Sequence, residues 1–258
     1  ELSVDSAGNI KNNLQNIKIL SKVRREMNDI IFSDKYKKDV IEFTNSFDKV
    51  AQIQDKYFST LVNDFTAPKL TTAIREQAIA TTIEGLTEQG INGNVISQLK
   101  DIVKTNITGG GSYADFTAQV KTFIEGDENT SGVLTRYARV YVTDSLNEYS
   151  ANHIQIISDD LGLDWFRYAG SLMATSRDFC IQLVKQDYVH RSEFPQLLKG
   201  HVNGTTVPLY SKTGLPEGMK ANTNITNFQS LRGGWGCNHQ LIPVITESVP
   251  KSVRDRIA

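Results

Sequence analysis

The sequence has few cysteines and no long apolar run, so it lacks the material for a disulfide scaffold or a membrane-spanning helix. It has 2 cysteines and 4 histidines among 258 residues. Two cysteines are too few for the disulfide framework of a secreted domain, so we expect free or metal-bound thiols made in a reducing cytosol. No apolar run reaches the ~20 residues that a membrane-spanning helix needs. The first residues also lack the basic and apolar segments of a secretory signal.

Charge and composition narrow the class of protein further. The formal net charge is -1, which argues against a globally basic nucleic-acid binder and leaves room only for a local basic patch. Apolar and charged residues make up 39% and 22% of the chain, as in ordinary globular proteins, so a disordered or fibrous chain is excluded. The length allows one large domain or one domain with an appendage.

Apolar side chains recur at helical spacing through most of the first 160 residues. The pattern predicts a helical hairpin arm over residues 1–66, followed by a helical stem over residues 67–160. The hairpin fits either ordinary packing within the chain or an arm that binds a partner. The predicted stripe of the first helix is Ile10, Leu14, Ile17, Leu20, Val23, Met27 and Ile30, and that of the second is Tyr36, Val40, Phe43, Phe47, Val50, Gln54, Tyr57 and Leu61.

The stem contains several predicted helix boundaries. Residues 90–94 are rich in glycine and asparagine and predict a turn between two helices. The longest helix is predicted from Gly132 to Asp160. His153 lies on the apolar face of that helix, where a histidine is more often a hydrogen-bonded core residue than a metal ligand.

After residue 160 the pattern changes from helical to mixed. Residues 163–170 alternate and are rich in aromatic residues, which predicts a strand. Two short helices are predicted over residues 176–200, with a break near 187–191, and residues 201–227 are predicted to be a long loop with a short strand near 205–210. A closing strand over 240–245 pairs with the first. The predicted fold class is therefore α+β and mostly α-helical, with a small C-terminal α+β unit over residues 161–258 that contains a short antiparallel sheet.

Two segments of this C-terminal unit carry the residues best suited to chemistry. Cys237 and His239 are two positions apart, so both side chains leave the same face of an extended backbone. Cys180 is predicted in the first turn of a short helix. With His190, or as a second choice His201, these side chains have the composition of a four-coordinate structural zinc site.

Other interpretations of the same residues stay open. The spacing is not a standard zinc signature, and the residues also fit a packed cluster of reduced thiols with histidine, a disulfide, or a catalytic thiol. The segment Cys237-Asn238-His239 also fits an HNH-like metal nuclease. Either form of catalysis requires a carboxylate or a second histidine oriented in a cleft, which nothing in the sequence identifies. We therefore predict that the chain is not an enzyme.

Several short motifs follow one another in a set order along the second half of the chain. They are Gly111-Ser112-Tyr113, Leu134-Thr135-Arg136-Tyr137-Ala138-Arg139, Tyr168-Ala169-Gly170, Thr175-Ser176-Arg177-Asp178-Phe179-Cys180, Arg191-Ser192-Glu193, and Gly233-Gly234-Trp235-Gly236-Cys237-Asn238-His239 with Pro243-Val244. This ordered set resembles the phage Mu protein F-like family of phage minor head proteins. The resemblance covers about residues 67–245. Asn238 stands where the family often has arginine, and Asp178 where proline is common.

The resemblance implies a structural virion protein rather than a metabolic enzyme. Members of this family act in head morphogenesis, join the particle in few copies, and lie inside the capsid at the portal vertex after synthesis in the host cytoplasm. Some are thought to be ejected with the genome. The partners implied are the portal protein, sister copies around the portal, the scaffold or major capsid protein, and nearby packaged DNA, with no membrane. The alternative is a metal-dependent hydrolase or nuclease, or a toxin-delivery module, carried in the head.

Overall fold

A computed structural model describes residues 2–31 and 33–257, except for the side chains of residues 20, 21, 23, 24, 27, 28, 30, 31 and 88. The chain is mostly helical, with one three-stranded and one two-stranded antiparallel sheet. The predicted fold class, α+β with mostly α-helix, is therefore confirmed. Within the part of the chain that is described, no helix has both the length and the apolar character needed to cross a bilayer.

Helices dominate the first 160 residues, and the strands come after them. The helices are α1 (Leu14–Ile31), α2 (Asp34–Leu61), α3 (Lys69–Leu86), α4 (Glu88–Ile91), α5 (Ser97–Gly109), α6 (Tyr113–Glu125), α7 (Val133–Asp160), α8 (Asp178–Gln186), α9 (Phe194–Leu197), α10 (Phe228–Leu231) and α11 (Lys251–Arg254). A π-helical turn (Asn92–Ile96) joins α4 to α5, and 3₁₀ turns cover Arg191–Glu193 and Thr246–Ser248. The strands are β1 (Trp165–Ala169), β2 (Tyr188–His190), β3 (His201–Val202), β4 (Thr205–Thr206) and β5 (Gln240–Val244).

Two compact units divide the chain, and each is assembled from two separate stretches. The first unit comprises Glu1–Asn45 and Ala80–Val142, and the second comprises Ser46–Ile79 and Thr143–Ala258. Helices α2, α3 and α7 therefore contribute residues to both units. The predicted division is into an arm (1–66), a stem (67–160) and a C-terminal unit (161–258). It also assigns a role to each part, such as partner binding to the arm, so it stays a prediction.

The first helix begins later than its apolar pattern predicted. Ile10 is buried in a cluster with Leu99, Val103 and Ile107, yet it forms a β-bridge with Val4 instead of a helical turn. Helix α1 begins only at Leu14. The physical reason is local capping: the Asn13 side-chain oxygen accepts a hydrogen bond from the backbone N–H of Asn16, which ends the preceding extended segment.

The predicted buried stripe of α1 is wrong at its first two helical positions. Leu14 is 75% exposed and Ile17 is 44% exposed. The predicted positions Leu20, Val23, Met27 and Ile30 lie outside the described side chains. Asn16, which the pattern placed off the stripe, is fully buried instead, because its side chain bonds Ser3 and the backbone oxygen of Lys11.

The glycine- and asparagine-rich segment at residues 90–94 does not interrupt the helix as predicted. The chain continues from α4 through the π-helical turn into α5. Ile91, Val95 and Ile96 are buried there in a cluster of the first unit. Burying these three apolar side chains outweighs the local preference of the intervening Asn92-Gly93-Asn94 for a turn, because a wider helical turn keeps all three on the packed side.

In the second unit, α7 places a polar cluster in the core. The helix begins within one residue of the predicted start and ends where predicted. The buried imidazole of His153 bonds Asp55 through Nε2 at 2.8 Å and lies 3.3 Å from the Tyr149 hydroxyl through Nδ1. The prediction of a hydrogen-bonded core histidine is confirmed. Gln54, the polar position in the α2 stripe, is buried because its amide donates to Ser150 on the same helix α7.

The three-stranded sheet has β1 in the centre, with β2 and β5 antiparallel on either side. Tyr168 pairs with Leu241 and Phe166 with Pro243, so the predicted pairing of the two strands is confirmed. The break predicted near residues 187–191 does separate α8 from α9, but it contains a strand that was not predicted, Tyr188–His190. Its central residue, Val189, is fully buried in the cluster that packs on the sheet. Of the strand predicted near 205–210, only Thr205–Thr206 is regular, paired with β3.

Candidate metal centre

Three of the predicted ligands meet in the second unit. Cys180 lies in the first turn of α8, and Cys237 and His239 lie just before β5. The two sulfurs are 3.9 Å apart, and Cys237 Sγ is 3.7 Å from His239 Nδ1. One potential ligand atom from each residue falls within 4.8 Å of the others. These three side chains could therefore hold a metal ion.

These two separations are close to the edges of a tetrahedral metal site. With zinc–sulfur bonds of about 2.3 Å and zinc–nitrogen bonds of about 2.0 Å, tetrahedral angles put two sulfurs about 3.8 Å apart, and a sulfur and a nitrogen about 3.5 Å apart. The observed 3.9 Å and 3.7 Å differ from these by only a few tenths of an ångström. Both cysteines are free thiols, so their sulfurs are available as ligands.

The other two predicted ligands lie elsewhere. His190 ends β2, where its ring packs 4.8 Å from that of Trp165 and its Nδ1 bonds the Ser192 hydroxyl at 2.8 Å. His190 and Glu193 form a capping box for the 3₁₀ turn that follows. His201 bonds Thr206 across the β3–β4 hairpin. Among the described residues, the group that could hold a metal contains neither histidine, so this structure does not bring a fourth protein ligand to the three.

Tyr168 of β1 holds the imidazole and one thiol in place. Its ring stacks on that of His239 at a centroid distance of 5.3 Å with an interplanar angle of 4°. Its hydroxyl donates to Cys180 Sγ at 3.3 Å. The approach of the His239 ring is possible because residue 170 is glycine: a Cβ there would lie 2.5 Å from the imidazole. In the motif Tyr168-Ala169-Gly170, the tyrosine therefore stacks on His239, and the glycine leaves space for the His239 ring.

The glycines before Cys237 allow the loop to pass close to its neighbours. A Cβ at Gly233 would lie 2.4 Å from Cys237 Sγ. Gly234 has φ +63°, and a Cβ there would collide with the backbone oxygen of Gly218. Arg177, which precedes α8, donates to the backbone oxygens of Gly233 and Trp235, both at 2.6 Å. This bidentate contact ties the Cys180 segment directly to the Cys237 segment.

A polar stripe on α7 supports the same loop from another side. Asp144 accepts from the backbone N–H of Gly236 at 2.8 Å, and Asn147 donates to the backbone oxygen of Cys237 at 2.9 Å. Ser150 donates to the Gln240 side chain at 3.0 Å. These three residues are spaced by three positions, so they lie along one face of the helix. Helix α7 thus fixes the backbone from which Cys237 and His239 project.

The local electrostatics favour a thiolate at Cys237. The hydrogen bond from Cys180 lowers the pKa of Cys237, and the backbone N–H of His239 and the charge of Arg232 lower it further. The same hydrogen bond, together with burial, raises the pKa of Cys180. Arg232 is buried and also donates to the backbone oxygen of His239 at 2.9 Å. A thiolate is the form of cysteine that binds metals.

A cavity of about 20 Å³ adjoins Cys237 and His239. It is closed partly by Lys220, whose ammonium group bonds Glu148 at 2.6 Å and lies 4.5 Å from the centre of the Trp235 ring. A cavity needs a volume of about 10–15 Å³ or more to hold one water molecule. The space therefore suits one small occupant and is too small for a substrate molecule.

Several residues of the site were not found from the sequence. Asp144 is only 7% exposed, although a charged residue gives no apolar signal for the buried face of α7. The signal that could have found it is the i, i+3, i+6 polar spacing of Asp144, Asn147 and Ser150 along the longest helix. Arg232 stands directly before the two glycines, where a buried guanidinium has no distinctive sequence pattern.

Comparison with known proteins does not assign the chain to a family. No protein-family model, no curated protein and no solved structure matches it.

Proposed function

We propose that this chain is a structural virion protein, a phage minor head protein at the portal vertex, whose C-terminal unit is closed by a metal ion. One observation carries the proposal: the motifs that resemble the phage Mu protein F-like family lie together and hold one another. Arg177 and Cys180 of one motif contact Gly233, Trp235 and Cys237 of another. Because these motif residues contact one another, their direct effect is to stabilise the fold. This favours a structural role for the motifs.

The enclosure of the site supports the same role. The cavity beside Cys237 and His239 is about 20 Å³, and the ligand-bearing side chains are largely buried. A structural metal needs no access for substrate, whereas a hydrolase must bring a phosphodiester or peptide bond to the metal. The regular sheet around the site has strands of only three to five residues. A bound metal would supply folding free energy to such a unit.

Zinc is the metal that best fits the three donors. Two thiolates and one imidazole are soft or intermediate ligands, which suit zinc and are poor ligands for magnesium or calcium. The ion would be held by Cys180, Cys237 and His239. It would cross-link α8 to the loop before β5. The charges of the two thiolates would balance the charge of the ion.

The first unit offers the proposed contact with the portal. Leu14 and Ile17 on α1 and Ile41 on α2 are apolar and exposed. The part of the arm in this unit therefore presents apolar surface that a portal subunit or a sister copy would bury. We place the protein inside the capsid near packaged DNA, with contacts to DNA that are local and salt-sensitive because the net charge is -1.

The experiment that tests the virion role is quantitative mass spectrometry of purified particles from the host that carries this gene. The proposal predicts this polypeptide in purified, nuclease-treated particles at a few copies per portal protein ring. Particles assembled without the portal protein serve as the control, and they are expected to lack it. Absence of the polypeptide from complete particles would refute the virion role.

A metal-dependent hydrolase or nuclease remains the second candidate, and the number of ligands favours it. Catalytic zinc sites commonly have three protein ligands and an open fourth position, which matches Cys180, Cys237 and His239. Zinc-loaded protein can be incubated with supercoiled and single-stranded DNA, with His239→Ala as the control. Cleavage that is lost in His239→Ala would support the second candidate over the structural proposal, and no cleavage by the zinc-loaded protein would remove it.

A further inference from the structure

The two cysteines of the chain are close enough to react with each other. Cys180 and Cys237 are the only cysteines in the sequence, and both are free thiols. Their sulfurs lie 3.9 Å apart in a non-bonded contact, whereas a disulfide bond is about 2.05 Å long. Forming that bond would require each sulfur to move by about 1 Å.

Contacts that involve no sulfur hold the two backbones side by side. Arg177, directly before α8, donates to the backbone oxygens of Gly233 and Trp235 at 2.6 Å each. Asn147 donates to the backbone oxygen of Cys237 at 2.9 Å. Gly233 also leaves space beside the thiol, because a Cβ there would lie 2.4 Å from Cys237 Sγ. The segments are therefore already docked, and the movement that remains is one of the side chains.

The two thiols differ in how easily an oxidant reaches them. Cys180 is only 3% exposed, and its sulfur accepts a hydrogen bond from the Tyr168 hydroxyl at 3.3 Å. Cys237 is half-buried and lines the cavity of about 20 Å³. The oxidation of a cysteine depends on its exposure. A small oxidant such as hydrogen peroxide is therefore expected to meet Cys237 first, with Cys180 behind it as the second thiol.

We infer that Cys180 and Cys237 form an oxidative modification site, at which a peroxide joins them in a disulfide that releases the metal and closes the C-terminal unit in its place. The inference rests on the proposed function for its consequence. A virion is assembled in a reducing cytosol and then leaves the cell for surroundings in which disulfides persist. The same two side chains would close the unit through a metal in the first setting and through a covalent bond in the second.

The oxidation takes place in two steps. In the metal-free chain, the Cys237 thiol attacks one oxygen of hydrogen peroxide, the O–O bond breaks, and a sulfenic acid forms as one water leaves with the thiol proton. The Cys180 thiol then attacks that sulfur, the S–O bond breaks, and the S–S bond forms as the hydroxyl group leaves with the Cys180 proton as a second water. Two thiols are thus oxidised, and one peroxide is reduced to two waters.

The same reaction removes the metal from the site. Zinc binds the thiolate form of cysteine, so a disulfide takes away two of the three protein ligands. From the zinc-bound form the two protons of the product waters come from solvent, and the released ion carries away the matching positive charge. His239 alone would then remain as a ligand, which is too few for a closed zinc site.

The first test is mass spectrometry of the full metal-free chain after treatment with dilute hydrogen peroxide. The wild type is expected to lose two hydrogens, to stay monomeric on a non-reducing gel, and to regain both thiols with dithiothreitol. Cys180→Ser is the matched control, because it keeps Cys237 without the neighbouring thiol. It is expected to gain oxygen at Cys237 as sulfinic and sulfonic acids. A wild type that forms an intermolecular disulfide, gains oxygen without a disulfide, or keeps both thiols overturns the inference.

Chemical denaturation tests whether the disulfide closes the unit. The oxidised, metal-free wild type is expected to unfold at a higher denaturant concentration than the reduced, metal-free wild type, because the bond joins residues 57 positions apart in the unfolded chain. Cys180→Ser is expected to show no such upward shift. An oxidised wild type that unfolds at the same or a lower denaturant concentration overturns the inference.

Zinc release separates this inference from the metal centre on which it rests. Zinc-loaded wild type treated with peroxide is expected to release about one zinc per chain to a chromophoric chelator and to bind zinc again after reduction. A wild type that keeps its zinc while the disulfide forms overturns the exchange. A wild type that never binds zinc refutes the proposed metal centre, while mass spectrometry still decides whether Cys180 and Cys237 join.

Discussion

The sulfur of Cys180 lies 3.9 Å from the sulfur of Cys237, although the two residues are 57 positions apart in the chain. One thiol comes from the first turn of α8 and the other from the loop before β5. The contact therefore closes a long loop, and closing a long loop by a cross-link stabilises mainly by restricting the unfolded chain. The thiol pair and His239 together form the closure on which the proposed structural role depends.

Arg177 is expected to contribute strongly to this closure. Replacing it with alanine removes two charge-assisted hydrogen bonds to the Gly233 and Trp235 backbone oxygens. The expected loss is about 2–3 kcal/mol of unfolding free energy, measured by chemical denaturation. Arg167→Ala is the control, because the Arg167 side chain is 58% exposed and pairs with Asp187 at the surface. That variant is expected to lose about 1 kcal/mol or less, and equal losses in the two variants would contradict the role of Arg177.

Gly234 is expected to tolerate no side chain. Its φ of +63° disfavours alanine, and a Cβ would overlap the backbone oxygen of Gly218. Gly236 has a similar φ of +69° but open space around the position of a Cβ. Gly236→Ala should therefore cost only the left-handed backbone penalty of about 1–2 kcal/mol. Gly234→Ala should cost more, because the backbone must also move, and thermal unfolding of the two variants compares them directly.

The metal-free protein is expected to gain stability as the pH rises from about 5 to about 8. The folded-state pKa of Cys237 is lowered, chiefly by the hydrogen bond from Cys180. Between this pKa and the ordinary thiol value of about 8.5, the unfolded state binds more protons, so stability increases with pH. The measurement is chemical denaturation with chelator and reductant at several pH values. Cys237→Ser should remove this part of the pH dependence, and a wild type with the same slope as Cys237→Ser would contradict the thiolate assignment.

The exposed apolar residues of α1 are expected to matter for assembly rather than for folding. Leu14→Glu combined with Ile17→Glu should leave the protein soluble and reduce its copy number in particles, because both side chains are exposed and available to a partner. Leu172→Glu, at an exposed position of the second unit, is the control. Normal incorporation of the α1 double variant would count against α1 as the portal contact.

Point changes test the arm better than its deletion. Removing residues 10–62 would also remove Phe47 and Phe58, which are fully buried in the second unit. Such a deletion would leave a large cavity and unfold the unit for reasons unrelated to the portal. The apolar pattern of α2 showed a long amphipathic helix, but it could not show that the second half of the helix packs in another unit than the first.

The sequence identified those parts of the fold that depend on strong local patterns. The bounds of α7 and the pairing of β1 with β5 follow from periodicity and from aromatic and β-branched content, and the structure agrees. Strand β2 was missed because three residues are too few to show alternation. Helix α1 began later than its apolar spacing indicated, because the Asn13 cap is a single side-chain contact that no periodic pattern carries.

For the candidate site, residue type and spacing identified Cys180, Cys237 and His239 but not their surroundings. His190 was predicted to complete a four-ligand set with these three residues. Its place on β2 directs its ring to Trp165 instead. Asp144 is 92 positions from Gly236, and only the folded backbone brings the two together. Contacts of that range depend on tertiary packing, which local propensity does not encode.

Zinc content of the purified full chain, determined by elemental mass spectrometry after dialysis in reducing buffer, tests the closure most directly. We predict about one zinc per wild-type chain, because one set of three ligands is brought together. Cys237→Ser is expected to lose the zinc and to unfold at a lower temperature, and His190→Ala is expected to keep the zinc because His190 bonds Ser192 instead. A wild-type chain that binds no zinc, or a His190→Ala variant that loses it, would contradict the proposed closure.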